Sequence, residues 1–206
     1  MFETEVIILR VVNYNDDSLI LHCLSPDKGR LDLMAYGARK ISKKKFPQIG
    51  LFRTLSIFAK EPTSGNLNYL TKYDLLSVND HLALSPALLE FSAAMANFSL
   101  TSSVEGISCP LYYNNLIECF ANINNSKLPK SAWTCRLFAT FLMEQGLFPE
   151  VDLSLHQKNT LNSIIHNKSQ LIQELDFKEF QWMQLKDWVI KVVEYAGITL
   201  PQQHSF

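Results

Sequence analysis

TEVIILRVVNYNDDSLILHCLSPDKGRLDLMAY, residues 4–36, holds three apolar runs separated by turn residues. Residues 4–12 and 18–24 are rich in Val, Ile and Leu, side chains that fill a pleated, half-buried surface. Residues 30–36 set Leu31, Leu33 and Ala35 on one parity against Arg30, Asp32 and Met34 on the other, the period of a strand. The separators, residues 13–17 and 25–29, are mostly Asn, Asp, Ser, Pro and Gly, which favour tight reversals. Working outward, residues 51–59 (LFRTLSIFA) and 67–76 (LNYLTKYDLL) read as two more strands, with a turn at 63–66 between them. Five short strands in the first third of the chain predict a five-stranded Greek-key barrel of the OB type. Apolar residues stand on both parities of several strands, so the outer barrel face is expected to meet another layer.

From about Asp80 the period becomes helical. Ser85-Pro86 predicts a helix start, with Ser as N-cap and Pro at the first helical position. Leu88, Leu89, Phe91, Met95 and Phe98 follow at helical spacing. Further helices are expected from Cys109-Pro110 to Asn124, over 130–145, over 155–166 and over 177–196. Gly146 with Pro149, and Gly197 with Pro201, are stop signals. The fold class is therefore α+β: an N-terminal OB-type barrel over residues 1–79 and an all-α domain over 80–206, expected to pack against it.

Composition narrows the function. The chain has 206 residues, is 47% hydrophobic and carries a net charge of -1, which disfavours disorder. No apolar stretch approaches the ~18 residues of a membrane span, and the acidic start lacks the charge pattern of a secretory signal. A cytoplasmic protein is expected. The four cysteines (23, 109, 119 and 135) form no C-x-x-C pair and are expected to be reduced, partly buried thiols.

The near-zero charge conceals an asymmetry. Residues 28–60 hold nine bases against the single acid Asp32, so this segment carries +8 while the remainder carries -9. Such a segment is the footprint of a polyanion site. Its densest part runs from Arg39-Lys40 to Lys43-Lys44-Lys45-Phe46, within the long gap at 37–50. Each phosphate neutralised releases condensed counterions, giving salt-sensitive attachment. The candidate DNA-binding residues are Arg10, Lys28, Arg30, Arg39, Lys40, Lys43, Lys44 and Lys45. Tyr14, Tyr36 and Phe46, beside turns or the basic loop, are candidates for base stacking. The plainer alternatives are that the triple lysine solubilises a loop and that the aromatics belong to the core.

Catalytic constellations are not legible. The seven glycines are scattered, and neither G-x-S-x-G nor H-E-x-x-H occurs. His22, His81, His156, His166 and His204 are not spaced as ligands, and Asp16-Asp17 reads as a turn pair. The expectation is a non-enzyme with no metal and no cofactor.

The ordered set Arg10, Tyr14, Asp17, Ser18-Leu19-Ile20-Leu21, Ser25 through Gly29-Arg30, and Gly37-Ala38-Arg39 resembles the opening of the RecO family of bacterial DNA recombination and repair mediators. A second block, Arg136-Leu137-Phe138 through Gly146-Leu147-Phe148-Pro149, is similar to a helix end of that family. The resemblance covers about residues 3–150. It implies a protein of the bacterial cytoplasm and nucleoid that binds single- and double-stranded DNA and anneals complementary strands. It further implies the partners RecR and single-stranded-DNA-binding protein (SSB), and help in loading RecA. Arg136 matches a family arginine implicated in docking the C-terminal tail of SSB; a surface charge at the edge of an apolar helix face is the alternative. Many members carry four zinc-binding cysteines after the second block, whereas residues 150–159 contain none, so the zinc module is expected to be missing or shortened. From a different class, the chain reads as a protein-docking scaffold whose barrel binds DNA weakly or not at all.

Overall fold

The computed structural model describes residues 1–39, 49–62, 67–149, 155–173 and 177–200. Five strands come first: β1 Phe2–Tyr14, β2 Ser18–Ser25, β3 Gly29–Ala35, β4 Thr54–Lys60 and β5 Asn68–Ser77. They close into a barrel in the order β1-β2-β3-β5-β4, with β4 returning to β1. Only β3 with β5 is parallel; the other pairings are antiparallel. This is the OB-type barrel expected from the alternating runs. Val6, Ile8, Leu21, Leu33, Leu55 and Ile57 fill its interior. Residues of the opposite parity, such as Ile7, Leu24 and Met34, are buried as well. The helix α1, Pro86–Ser102, lies against β1 and β2 and supplies the second layer.

Two local features depart from simple strand and cap chemistry. β4 begins at Thr54, three residues later than the apolar run at 51–59 suggests, because Phe52 has φ +60. Bulky residues seldom adopt that left-handed conformation. Tertiary bonds hold it: the Phe52 N–H donates to Ile8 O at 2.8 Å, and Asn79 Nδ2 donates to Phe52 O at 2.9 Å. At α1, Ser85 occupies the N-cap position and Pro86 the first turn, yet the Ser85 side chain makes no capping bond.

Beyond α1, residues 103–109 strap the β2–β3 turn. The Gly106 N–H donates to Lys28 O and the Cys109 N–H to Pro26 O, each at 2.8 Å. Gly29 in that turn has φ +62, and a Cβ there would lie 2.3 Å from Val104 O. Only glycine meets both conditions.

The chain divides into two compact units, Met1–Pro110 and Leu111–Phe206. Strand gives way to helix earlier, between β5 and a 3-10 turn at Asp80–Leu84, so the first unit carries α1 with the barrel. The rest comprises α2 Pro110–Asn122, α3 Lys130–Glu144, α4 Leu155–His166, α5 Ser169–Ile172 and α6 Glu179–Tyr195. At four residues, α5 is too short to show a period and was not foreseen. Every residue of α3 from Ala132 to Leu142 is buried, which marks it as the central helix, with α4 and α6 packed on it. Glu144 near its end accepts the Leu111 and Tyr112 N–H groups at 2.8 Å each, satisfying orphan donors in the first turn of α2. All four cysteines are buried and none is in a disulfide; burial pushes the thiols of Cys23, Cys119 and Cys135 up, so these three act as apolar filling. Among the described residues no helix is long and apolar enough to cross a membrane.

Candidate nucleic-acid interface

Pairing across β1, β2 and β3 places several of the sequence-predicted residues in one row. Arg10 stands opposite His22, and His22 opposite Asp32. The neighbours of His22 and Asp32 on either side, Leu21, Cys23, Leu31 and Leu33, point into the barrel, so the row faces outward. Within it, His22 Nδ1 lies 2.7 Å from Asp32 Oδ1, and Arg30 Nη2 donates to Asp32 Oδ2 at 3.2 Å. Arg30 Nη1 donates to Leu100 O of α1 at 3.2 Å. One carboxylate therefore holds two basic side chains, and Arg30, half-buried, is an anchored group rather than a free cation. Arg10 is exposed and has no side-chain partner among the described residues.

The two other predicted cations among the described residues, Lys28 and Arg39, stand at opposite ends of the β2–β3 pair. Lys28, in the β2–β3 turn, sets its Nζ 5.1 Å from the centre of the Phe2 ring, a cation–π contact. Arg39 is exposed; its Nη1 donates to Asn15 O and its N–H to Asp17 O, both at 3.0 Å. These bonds tie the exit from β3 to the β1–β2 turn while leaving the guanidinium without an acidic partner in either bond. Lys40, Lys43, Lys44, Lys45 and Phe46 lie outside the described residues. Arg53, counted in the basic segment, pairs with Asp80 through Nη2 and Oδ2 at 2.9 Å.

Of the predicted stacking residues, Tyr14 is 42% exposed and Tyr36 65% exposed, so neither is a core side chain. Tyr36 stacks on Tyr69 with ring centres 5.8 Å apart and planes 17° from parallel. Tyr69 was not singled out from the sequence, because LNYLTKYDLL reads as an apolar strand. Its signal was parity: it precedes Leu70, which packs toward the core, and pairs with Met34 of β3.

Arg136 sits in α3 at 2% exposure, which corrects the picture of a surface guanidinium. Its Nη2 donates to Asn115 Oδ1 at 2.7 Å and to both Glu118 Oε2 and Asn167 O at 2.8 Å. Its carbon Cζ lies 5.6 Å from the Trp133 ring centre. Glu118 also accepts the Ser169 N–H at the start of α5. Burial alone would raise the Glu118 carboxyl; the bonds from Arg136 and Ser169 outweigh it and hold the group below the usual carboxylate range. The partners lie 18 residues before and 31 residues after Arg136, which is why its burial was not legible locally. In this arrangement no bidentate fork is offered to a carboxylate from outside.

Residues 1–79 match the family described as Recombination protein O N terminal. The match covers the barrel and identifies it as similar to the N-terminal domain of the RecO family. No curated protein matches it. The matched span takes in all five strands and ends two residues past β5. The RecO-type barrel associates the chain with DNA recombination and repair, and its outer face carries exposed cations, exposed rings and an anchored ion-pair row. Among the described residues no three His, Cys, Asp or Glu side chains are grouped to hold a metal ion.

Proposed function

We propose that the protein is a mediator of DNA recombination and repair that binds single- and double-stranded DNA, anneals complementary strands and, together with RecR, helps load RecA on SSB-coated DNA. The observation that carries this reading is the RecO family match over a closed OB-type barrel that keeps Arg10, Arg39 and Tyr36 exposed. Annealing breaks no covalent bond, so the reading needs no catalytic group. It requires phosphate charge to be screened so that two polyanions approach, while bases remain free to pair. The basic segment at 28–60 supplies charge for this, and Lys40, Lys43, Lys44 and Lys45 belong to the proposal on their chemistry. In the helical unit, Arg136 organises α2, α3 and the α4–α5 junction. We assign it the shaping of a face for the SSB tail rather than a direct grip.

The test is annealing of two complementary oligonucleotides at low and high salt, with and without a chelator. Annealing that needs no nucleotide, survives chelation and falls steeply with salt supports the reading; no acceleration at any salt overturns it. The scaffold reading has one observation in its favour: Arg30 and Arg53 are each countered by an acid, Asp32 and Asp80. Retention of RecR and SSB in a pull-down, without measurable DNA affinity, selects it.

A further inference from the structure

The outer face of β4 and β5 alternates rings with lysines. Leu55, Ile57 and Ala59 fill the interior, so Ser56, Phe58 and Lys60 face outward. On β5, Leu70, Tyr73 and Leu75 pack toward the core, which turns Tyr69 and Lys72 outward. Register pairs Lys60 with Tyr69, and Phe58 with Lys72. Tyr69 in turn carries Tyr36 from the end of β3. Lys60 and Lys72 are exposed and have no ion-pair partner among the described residues. Acids mark the borders: Glu3 stands opposite Phe58 on β1, Asp74 opposite Ser56 on β5, and Glu61 follows Lys60.

An exposed tyrosine stacked on a second one keeps one ring face against its neighbour and leaves the other to water. At 65% exposure, Tyr36 fills no core space, and its ring is held near-parallel to Tyr69 rather than swinging freely. A flat apolar face of fixed orientation, with ammonium groups beside it, complements a nucleobase and its phosphate. Duplex DNA cannot use such a platform along its length, because each base face is already covered by the next pair. An unpaired base can.

We propose that Tyr36 and Tyr69 form a stacking platform for unpaired bases, with Lys60 and Lys72 neutralising the attached phosphates, and that this strip makes the barrel discriminate single strands from duplex. The proposal rests on the DNA-binding reading above and specifies which face and which form of DNA. It also gives that face a role in annealing, where the single strand must be held without masking both faces of its bases.

The experiment compares the full chain with Tyr36→Ala, Tyr36→Phe and Lys60→Gln/Lys72→Gln on three probes: oligo-dT, an abasic strand of equal length, and a duplex. The wild-type protein binds oligo-dT about tenfold more tightly than the abasic strand, a ratio expected from one base–ring stack. Tyr36→Ala removes that ratio and leaves duplex affinity unchanged, while Tyr36→Phe retains it, since the ring and not the hydroxyl does the stacking. The double lysine variant weakens oligo-dT and abasic binding alike and lowers the salt slope by about one to two. DNA binding with equal affinity for oligo-dT and the abasic strand, or a Tyr36→Ala loss equal on all three probes, overturns the platform alone. Binding to none of the probes overturns the DNA-binding reading itself.

Discussion

Arg10 and Arg136 carry the same guanidinium into opposite surroundings. On the barrel, Arg10 projects from an outward row and has no side-chain partner among the described residues. In the helical unit, Arg136 is enclosed, its Nη2 shared by three acceptors. The first unit leaves part of its positive charge available to an external polyanion, whereas the second uses charge to join its own elements. Charge thus stays exposed in one region and is architectural in the other, and net charge describes neither.

The sharpest way to break this contrast is Arg136→Met. Removing one member of a buried pair leaves Glu118, Asn115 and the Asn167 carbonyl without their donor, and an expected loss of about 3–5 kcal/mol should appear in denaturant unfolding. Pairing that change with Glu118→Leu should recover part of the loss, because no uncompensated charge then remains. DNA affinity measured on whatever fraction stays folded should be unaltered. The same pair predicts a pH dependence. The Glu118 carboxyl is held below its ordinary value in the folded state, so its contribution is present above the unfolded value of about 4.3 and is lost as pH falls through the folded value. Stability should therefore drop on acidification, and Glu118→Gln should be less stable at neutral pH but show a flatter acid limb.

How much of this contrast was legible without coordinates follows from where the partners lie. The strands were readable because alternation and turn residues are local, as in Leu31, Leu33 and Ala35 against Arg30 and Asp32. Phe52 was not, since its left-handed backbone is held by Ile8 and Asn79, both distant in sequence. Arg30 and Asp32 were legible as two residues on one strand parity, yet their pairing, and with it an anchored rather than free Arg30, needed the structure and the contact with Leu100. Tyr36 was found by its position beside a turn, but its partner Tyr69 was hidden in an apolar run.

A change of intermediate size tests the support of the barrel's own turn. Gly29→Ala places a Cβ 2.3 Å from Val104 O and 2.4 Å from Ile107 O at φ +62. Backbone strain of this kind costs about 1–3 kcal/mol, and relief requires the strap at 103–109 to lift. Hydrogen exchange should then speed up at the Gly106 and Cys109 amides, whose acceptors are Lys28 O and Pro26 O. Unchanged exchange at these two amides would show that the strap is held by something other than the fit at Gly29.

The smallest stability effect is expected at Asp32, and there the contrast between regions should invert in sign. Asp32→Asn keeps an oxygen for His22 or Arg30 but removes the charge that holds both, at side-chain exposures of 24% for Asp32 and 41% for Arg30. Pairs this exposed contribute at most about 1 kcal/mol, so unfolding should hardly move. DNA affinity should instead rise, with a steeper salt dependence, because the outward row gains one net positive charge and Arg30 loses its counter-ion. Arg10→Gln should act the other way, weakening binding to single strands and duplex alike and lowering the slope by about one. A buried charge in the helical unit offers no such trade, since its removal costs stability and returns nothing to a ligand. If Asp32→Asn and Arg10→Gln both left DNA affinity unmoved, the row across β1, β2 and β3 would lie off the DNA path, and the β4–β5 strip would have to account for binding by the described part of the barrel.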